Sequence, residues 1–376
     1  MKNVILAIMK YGMRLVYFFM KLFTPVQDKV VFISRQSDEP SENFRLLAEE
    51  INRLAPQYRC EFSCKLGLKS EMGLSYALLM LKQMKSLAGA RVCITESYCI
   101  PISILRHKKE LTVIQIWHSM VAIKKFGWQT VDLPEGSPSA VAAIMQMHNG
   151  YDYVIVGSEY MRDFFSEAMR TPKEKILPLG MPSADRMLQD GSELMKSAAL
   201  REAFEAAYPT AKGRKIVAYL PTMRRETVVD CTELVEGFND ERFVLVIKLH
   251  PLDKDTVISS DSAITDKKFT TRQVIALADA VISDYSGAAA EAALLGKPVY
   301  FFTPDLETYS GRCGVNLNPM EVFPHVSFDR AEPLIGAVCS GSASREDIEL
   351  VHELLCGGCD GRSTEHIAQL ALGIRP

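Results

Sequence analysis

The sequence lacks several features that would assign it to a common functional class. Its net charge of −3 is far from the strongly basic balance that is usual for nucleic-acid-binding domains, and we predict no nucleic-acid partner. The nine cysteines follow no regular spacing, which favours reduced thiols in a cytosolic setting over a disulfide framework. One close pair, Cys356 and Cys359, has no second pair beside it, so we interpret it as structural. No cluster of acidic residues has metal-site spacing, and we predict no tightly bound metal.

The first 23 residues contain no acidic residue and no long charge-free run. The uncharged stretch 15–20 is too short to span a bilayer, and charges interrupt the apolar region where a signal peptide would need continuity. On a helix, Lys10, Arg14 and Lys21 fall on one face within roughly 40°. We predict an amphipathic helix over residues 1–24 that lies on an anionic membrane surface. The alternative is a helix packed on the protein's own body.

The remaining chain alternates strand-like and helix-like segments, as an α/β protein does. At 376 residues it is long enough for two domains, each with its own core. We predict α/β domains over residues 25–188 and 189–345, followed by terminal helices over 346–376. Most predicted strands end in small or polar residues, and ligands of parallel sheets collect at those ends. This pattern predicts an active site in a cleft between the two domains.

One stretch, residues 279–298, combines a short apolar strand, a polar turn and an alanine-rich helix. The turn runs from Ser283 to Gly287, and Gly296 and Pro298 end the helix. Small residues before a helix N-terminus leave backbone N–H groups available to a phosphate. An ordinary strand-to-helix turn with a serine cap is the alternative interpretation.

Four strand-end clusters and a later acidic residue resemble, in their order, one known family. The clusters are Trp117-His118, Pro221-Thr222-Met223-Arg224, His250-Pro251 and Ser283-Asp284-Tyr285-Ser286, followed by Asp305 with Tyr309. This order resembles the CDP-glycerol glycerophosphotransferase family, the teichoic acid primases and polymerases, over roughly residues 30–322. The resemblance implies a GT-B-like fold, with two Rossmann-like parallel-sheet domains facing across a cleft. It also implies peripheral attachment to the cytoplasmic face of the cell membrane.

The resemblance also implies roles for individual residues. His118 becomes the candidate general base, and His250 is expected beside the donor pyrophosphate. The implied substrate-binding residues are Thr222, Arg224, Ser283, Asp284, Tyr285, Ser286, Gly287, Asp185, Asp305 and Tyr309. Lys124 could meet an acceptor phosphate, although a solvated loop explains it equally well. Ser119, Ser183 and Met223 depart from the residues usual in the family, and they leave the alditol and the acceptor open.

The implied reaction moves glycerol phosphate or ribitol phosphate from a CDP-alditol to a hydroxyl of a lipid-linked acceptor, with release of CMP. It requires no cofactor. The first alternative keeps the fold but makes the protein a nucleotide-sugar glycosyltransferase or a UDP-sugar 2-epimerase. The second is a membrane-bound nucleotide-binding scaffold without catalysis. The sequence leaves open whether one or many units are added and whether the chain forms a homo-oligomer.

Overall fold

The computed structural model describes residues 2–67, 73–224, 230–250, 253 and 263–374. The chain divides into two compact units. The first unit comprises Met1–Ser183 and Gly358–Pro376, and the second comprises Ala184–Gly357. In the described part of the chain, each unit contains one six-stranded parallel sheet, which confirms the predicted class of two α/β domains. Their placement across a cleft stays a prediction.

The sheet of the first unit has the strand order β2-β1-β3-β4-β5-β6. Its strands are β1 Lys29–Ser34, β2 Arg59–Cys64, β3 Val92–Thr95, β4 Thr112–Gln115, β5 Tyr153–Ile155 and β6 Ile176–Leu177. Strands β1 and β3 are buried along their whole length, as is usual for parallel strands covered on both faces by helices. The helices that precede the second unit are α1 Lys2–Phe23, α2 Glu42–Leu54, α3 Leu74–Ala88, α4 Ile100–Ile104, α5 Ser139–Ile144 and α6 Arg162–Met169.

The sheet of the second unit has the strand order β12-β11-β10-β7-β8-β9. Its strands are β7 Lys215–Leu220, β8 Phe243–Ile247, β9 Ala263–Thr265, β10 Ala280–Ser283, β11 Val299–Phe302 and β12 Ser327–Phe328. Its helices are α7 Pro182–Met195, α8 Ala198–Ala207, α9 Thr232–Gly237, α10 Thr271–Leu277, α11 Ala288–Leu294, α12 Leu306–Arg312, α13 Pro319–Val322, α14 Ala331–Ser340 and α15 Arg345–Cys356. Because β7 and β10 are neighbours, segments far apart in sequence end side by side.

The chain leaves the first unit after Ser183 and returns to it at Gly358. Helix α7 begins in the first unit and continues into the second, so the predicted boundary after residue 188 falls inside a helix. The last helix, α16 Ser363–Leu372, belongs to the first unit and packs against α2. Ile367 and Ala368 of this helix join Phe44, Leu47 and Ile51 of α2 in one buried apolar cluster. Burial of such side chains stabilises by about 1.5–3 kcal/mol each, which explains why the chain end returns to this unit.

Part of the basic face of helix α1 packs against the rest of the first unit. Arg14 donates to the main-chain oxygen of Ile104 at 2.7 Å and to Gln146 Oε1 at 2.6 Å. Lys21 donates to the main-chain oxygen of Arg106 at 2.6 Å. The donors of Arg14 and Lys21 are therefore hydrogen-bonded to protein oxygens rather than to solvent alone.

The opposite side of α1 is apolar and open. Its exposed large side chains are Val4, Ile5, Ile8, Tyr11, Leu15, Val16, Phe18, Phe19, Leu22 and Phe23. By length and composition, Asn3–Phe23 is apolar enough to cross a membrane, which differs from the expectation drawn from its short charge-free run. Leu78 and Leu81 of α3, a helix that contacts α1, are also exposed. The apolar face, defined as these exposed side chains of α1 and α3, therefore lies on the outside of the first unit.

Candidate functional site

The predicted site residues of the second unit lie at the carboxyl edge of four adjoining strands. In the order β11-β10-β7-β8, each strand is followed closely by a predicted residue. Asp305 follows β11, Asp284 follows β10, Thr222 and Arg224 follow β7, and His250 follows β8. Parallel pairing puts these strand ends at one edge of the sheet, where open α/β sheets bind ligands.

Arg224 is held between two carboxylates. Its Nη2 lies 3.0 Å from Oδ2 of Asp284 and 3.0 Å from Oδ2 of Asp305, and its Nε donates to Asp305 Oδ2 at 3.1 Å. Its Nη1 donates to the main-chain oxygen of Thr222 at 2.8 Å. Burial alone would lower the pKa of Arg224, but the two carboxylate charges outweigh burial and raise it above its ordinary value. The guanidinium of Arg224 is therefore already bonded to other groups of the protein, whereas the family resemblance made it a substrate-binding residue.

Asp284 fixes the end of the neighbouring strand. Its Oδ1 accepts from the backbone N–H of Thr222 at 2.8 Å and from the Thr222 hydroxyl at 2.7 Å. Its Oδ2 forms the ion pair with Arg224 without hydrogen-bond geometry. The side chain is only 1% exposed. Asp284 thus joins β10 to the segment after β7 from inside the protein.

Two stacked tyrosines complete this cluster. The rings of Tyr285 and Tyr309 lie 4.2 Å apart and nearly parallel, and both residues are buried. The Arg224 guanidinium lies 4.7 Å from the Tyr309 ring centroid, within the range of a cation–π contact. The Tyr285 hydroxyl donates to Asp305 Oδ1 at 3.3 Å. We call Thr222, Arg224, Asp284, Tyr285, Asp305 and Tyr309 the arginine cluster.

The turn after β10 begins with buried residues and ends with partly exposed ones. Ser283 is fully buried, and its hydroxyl donates to the main-chain oxygen of Leu220 at 2.9 Å. Ser286 and Gly287 are half-buried, and the Ser286 hydroxyl accepts from the backbone N–H of Ala288 at 3.3 Å. Of the turn residues, only Ser286 and Gly287 are thus open to a ligand.

Two further predicted residues of this unit are placed less tightly. His250 is exposed, and its main-chain oxygen accepts from the backbone N–H of Asp253 at 2.8 Å. Pro251, the other half of its motif, lies outside the described residues. Asp185 lies in the first turn of α7, where a carboxylate is favoured by the helix dipole.

In the first unit, His118 follows β4 on a strained backbone. The preceding residue, Trp117, has φ of 53°, in the left-handed region that bulky side chains rarely adopt. Its indole stacks on Phe126 at 4.9 Å and meets the ring of His148 at 5.4 Å. Such conformations persist where the surroundings over-determine them, and they cluster at functional sites. Nothing in the sequence pattern signals this strain.

The His118 ring meets two polar groups of the protein at Nδ1. This atom lies 3.2 Å from Gln36 Nε2 and 3.4 Å from the main-chain oxygen of Glu96. The residue is exposed, yet protein around the ring removes part of its hydration and lowers the pKa of His118. Lys124, which is exposed, lowers this pKa further through its charge. The ring is therefore neutral at pH 7.

Sequence reasoning missed two titratable residues beside His118. Glu96 follows β3 and is 2% exposed, and its carboxylate accepts from the hydroxyls of Ser34 at 2.5 Å and Ser41 at 2.7 Å. Burial dominates these bonds and raises the pKa of Glu96. His148 is buried, and desolvation together with the nearby His118 lowers its pKa to about 3. The polar strand-end position of Glu96 could have marked it, whereas His148 had no sequence signal.

Comparison with known proteins extends over nearly the whole chain. The family model described as CDP-glycerol:poly(glycerophosphate) glycerophosphotransferase matches residues 16–373. The teichoic acid ribitol-phosphate primase of Bacillus spizizenii strain W23 is 30% identical, over 98% of this chain and 97% of the relative. The teichoic acid glycerol-phosphate primase of Bacillus subtilis strain 168 is 26% identical, over 69% of this chain and 68% of the relative.

A solved structure shares the fold. The wall teichoic acid polymerase TagF matches with a TM-score of 0.69 and 19% identity, over 99% of this chain and 95% of that chain. This likeness confirms the predicted GT-B-like fold class, and the family match confirms the resemblance seen in the motifs. The protein therefore belongs to the CDP-glycerol:poly(glycerophosphate) glycerophosphotransferase family of enzymes.

Proposed function

We propose that this protein transfers an alditol phosphate, glycerol phosphate or ribitol phosphate, from a CDP-alditol to a hydroxyl of a lipid-linked acceptor. The acceptor oxygen attacks the phosphorus that carries the alditol and forms a new phosphodiester bond. The bond from that phosphorus to the bridging oxygen breaks, and CMP leaves with the electron pair. The observation that carries the proposal is the family match over residues 16–373, within which both motif histidines are present.

His118 takes the proton of the attacking hydroxyl in this proposal. A base must be unprotonated at working pH, and the lowered pKa of His118 meets that requirement. In the tautomer in which Nδ1–H donates to the Glu96 main-chain oxygen, rather than Nδ1 accepting from Gln36 Nε2, the lone pair is on Nε2, which becomes the basic atom. His250 and the half-buried pair Ser286 and Gly287 stabilise charge on the phosphates, since fixed donors are most effective where charge develops.

The arginine cluster supports the phosphate-binding turn rather than contacting the donor. Arg224 already meets Asp284, Asp305 and the Thr222 main chain, so it would have to exchange one of them to reach a phosphate. We assign it the role of holding three strand ends in register below Ser286 and His250. Such support matters because misplacing reacting groups by about 1 Å costs about a hundredfold in rate.

Acceptor-dependent nucleotide release tests the proposed reaction. CDP-glycerol and CDP-ribitol are supplied separately with a lipid-linked alditol-phosphate acceptor, and UDP-N-acetylglucosamine serves as the matched uridine donor. Transfer predicts CMP from one CDP-alditol only when acceptor is present. Release or epimerisation from the uridine donor alone would instead establish the first alternative. CDP binding without turnover by any acceptor would favour the scaffold.

We further propose that the apolar face of α1 and α3 seats the protein on the cytoplasmic surface of an anionic membrane. The open side of α1 is apolar, neither helix has an acidic residue in its first turn, and Lys82 and Lys85 are exposed on α3. Apolar burial with basic flanks is the usual composition of an interfacial helix. In this arrangement Arg14 and Lys21 hold the helix on the protein while the apolar side chains meet lipid.

Vesicle co-sedimentation separates these two sides of α1. Ile8→Asp with Leu15→Asp alters only outward side chains, and it should release the protein from vesicles that contain phosphatidylglycerol. Arg14→Gln is the matched control, because it removes a basic residue that faces protein, and it should leave sedimentation intact. Release by the control but not by the double variant would mean that basic charge, not the apolar face, binds the membrane.

A further inference from the structure

Besides Arg224 in the second unit, one arginine of the first unit lies at the carboxyl edge of its sheet and has no role in the proposed reaction so far. Arg35 directly follows β1, and its backbone N–H donates to the Ser97 hydroxyl at 3.0 Å. The next residue, Gln36, has its amide nitrogen 3.2 Å from Nδ1 of His118. Glu96, adjacent to Ser97, presents its main-chain oxygen to the same His118 atom at 3.4 Å. Arg35 is therefore part of the same surface as the candidate base.

The guanidinium of Arg35 is held in place but incompletely bonded. Nη1 donates to the main-chain oxygen of Tyr98 at a long 3.4 Å, and the Tyr76 ring centroid lies 5.8 Å from Cζ. Gly67 makes room for it, since a Cβ there would lie 2.9 Å from both Nε and Nη2. Nε is buried without a hydrogen-bond partner. No carboxylate of the described residues forms an ion pair with this side chain.

This environment differs sharply from that of Arg224. Two carboxylates compensate the charge of Arg224, whereas the contacts of Arg35 are a carbonyl, an aromatic face and a glycine. Glu96, the buried acid next to Ser97, already accepts from Ser34 and Ser41. Nε is covered by the protein, so an anion reaches this uncompensated charge through the terminal nitrogens of the guanidinium. The planar fork of an arginine suits the paired oxygens of a phosphate.

We propose that Arg35 binds the phosphodiester of the incoming acceptor, next to the hydroxyl that His118 deprotonates. The proposal rests on the proposed transfer, because an alditol-phosphate acceptor carries a phosphodiester only a few bonds from its terminal hydroxyl. Gln36 connects Arg35, which would bind the phosphodiester, with His118, which would bind the hydroxyl, because it follows Arg35 in the chain and contacts the His118 ring. One acceptor end thus bridges a fixed cation and a neutral base, which orients the hydroxyl for attack.

Calorimetry on the full chain tests this assignment without turnover. The probe is glycerophosphoglycerol, which has one phosphodiester between two glycerols, and diglycerol is its neutral match. Arg35→Gln should weaken glycerophosphoglycerol binding by about tenfold or more and leave diglycerol unaffected, because a charge-assisted bond is lost. Arg35→Lys, which keeps the charge without the fork, should fall between. Arg53→Gln, at the far end of α2 and exposed, is the control and should bind like the wild type.

Several outcomes would overturn the proposal. Unchanged glycerophosphoglycerol binding in Arg35→Gln, with an unaltered melting temperature, would remove Arg35 from the acceptor. Inorganic phosphate bound as tightly as the diester would mean that the alcohol arms contribute nothing, which contradicts an acceptor site. In turnover assays Arg35→Gln should raise the acceptor KM and leave the CDP-alditol KM unchanged, whereas the reverse would move Arg35 to the donor. A wild type that binds the probe through Arg35 but releases no CMP would contradict the transfer reaction instead.

Discussion

Replacing Asp284 by alanine tests whether the arginine cluster holds the second unit together. The Asp284 side chain is 1% exposed, and its loss leaves the guanidinium of Arg224 with a single carboxylate partner, Asp305, whose side chain is 38% exposed. It also leaves the N–H and hydroxyl of Thr222 without their acceptor. Breaking a buried ion pair from one side costs about 3–5 kcal/mol. We therefore expect the free energy of unfolding to fall by about 4 kcal/mol.

This loss corresponds to a drop of roughly 8–16 °C in melting temperature, because each kcal/mol shifts a domain of this size by about 2–4 °C. Far-UV circular dichroism follows the transition of both units. Both tryptophans, Trp117 and Trp128, belong to the first unit, so their emission reports on that unit separately. A dichroism midpoint that falls while the emission midpoint stays would locate the damage in the second unit.

A double variant separates the ion pair from general disruption. Asp284→Ala combined with Arg224→Met removes the uncompensated charge, so it should be less destabilised than the two single losses together, by about 0.5–3 kcal/mol. Asp305→Ala is the matched control, and its more exposed carboxylate should cost less than Asp284. An unchanged midpoint in Asp284→Ala, or strictly additive losses, would refute the role assigned to this cluster.

Three further predictions concern the first unit and the chemistry. Because the pKa of His118 is lowered, kcat/KM should stay level as pH falls through 6.5 and decline only at lower pH; a decline at or above 6.5 would contradict a neutral, desolvated base. The pKa of Glu96 is raised, so its ionisation costs stability as pH rises through the folded-state value; Glu96→Gln should therefore gain stability relative to wild type between acid and neutral pH, and a pH-independent difference in urea denaturation would refute this. Turnover should be unchanged by EDTA, and loss of activity restored by a divalent cation would show that a metal is required.

Much of the second site follows from strand-end chemistry that a sequence displays. Apolar runs predicted β7, β8, β10 and β11, and parallel strands place their carboxyl ends at one edge. The position of Asp305 against Arg224 could not be predicted in the same way. These residues are 81 positions apart, and their contact depends on β10 lying between β7 and β11. Periodicity indicates strands but carries no information on their order.

The environment of α1 shows a second limit. The basic stripe was visible in the sequence, but two of the three groups that bind it are main-chain oxygens, those of Ile104 and Arg106, and the third is Gln146 Oε1. Main-chain acceptors leave no mark on a sequence, so a stripe cannot be assigned to protein or to membrane from its spacing alone. Arg35 was overlooked for a related reason, since an unsatisfied Nε is a property of packing.

The mass of the acceptor after a single turnover shows which group the protein transfers. A lipid-linked acceptor is incubated with the wild type and either CDP-glycerol or CDP-ribitol, and the product is weighed by mass spectrometry alongside His118→Ala. Alditol-phosphate transfer predicts that the acceptor gains one glycerol phosphate or one ribitol phosphate, with an equal amount of CMP, and that His118→Ala slows this gain by more than about a hundredfold. An acceptor that gains a sugar or remains unchanged while nucleotide is released would contradict alditol-phosphate transfer.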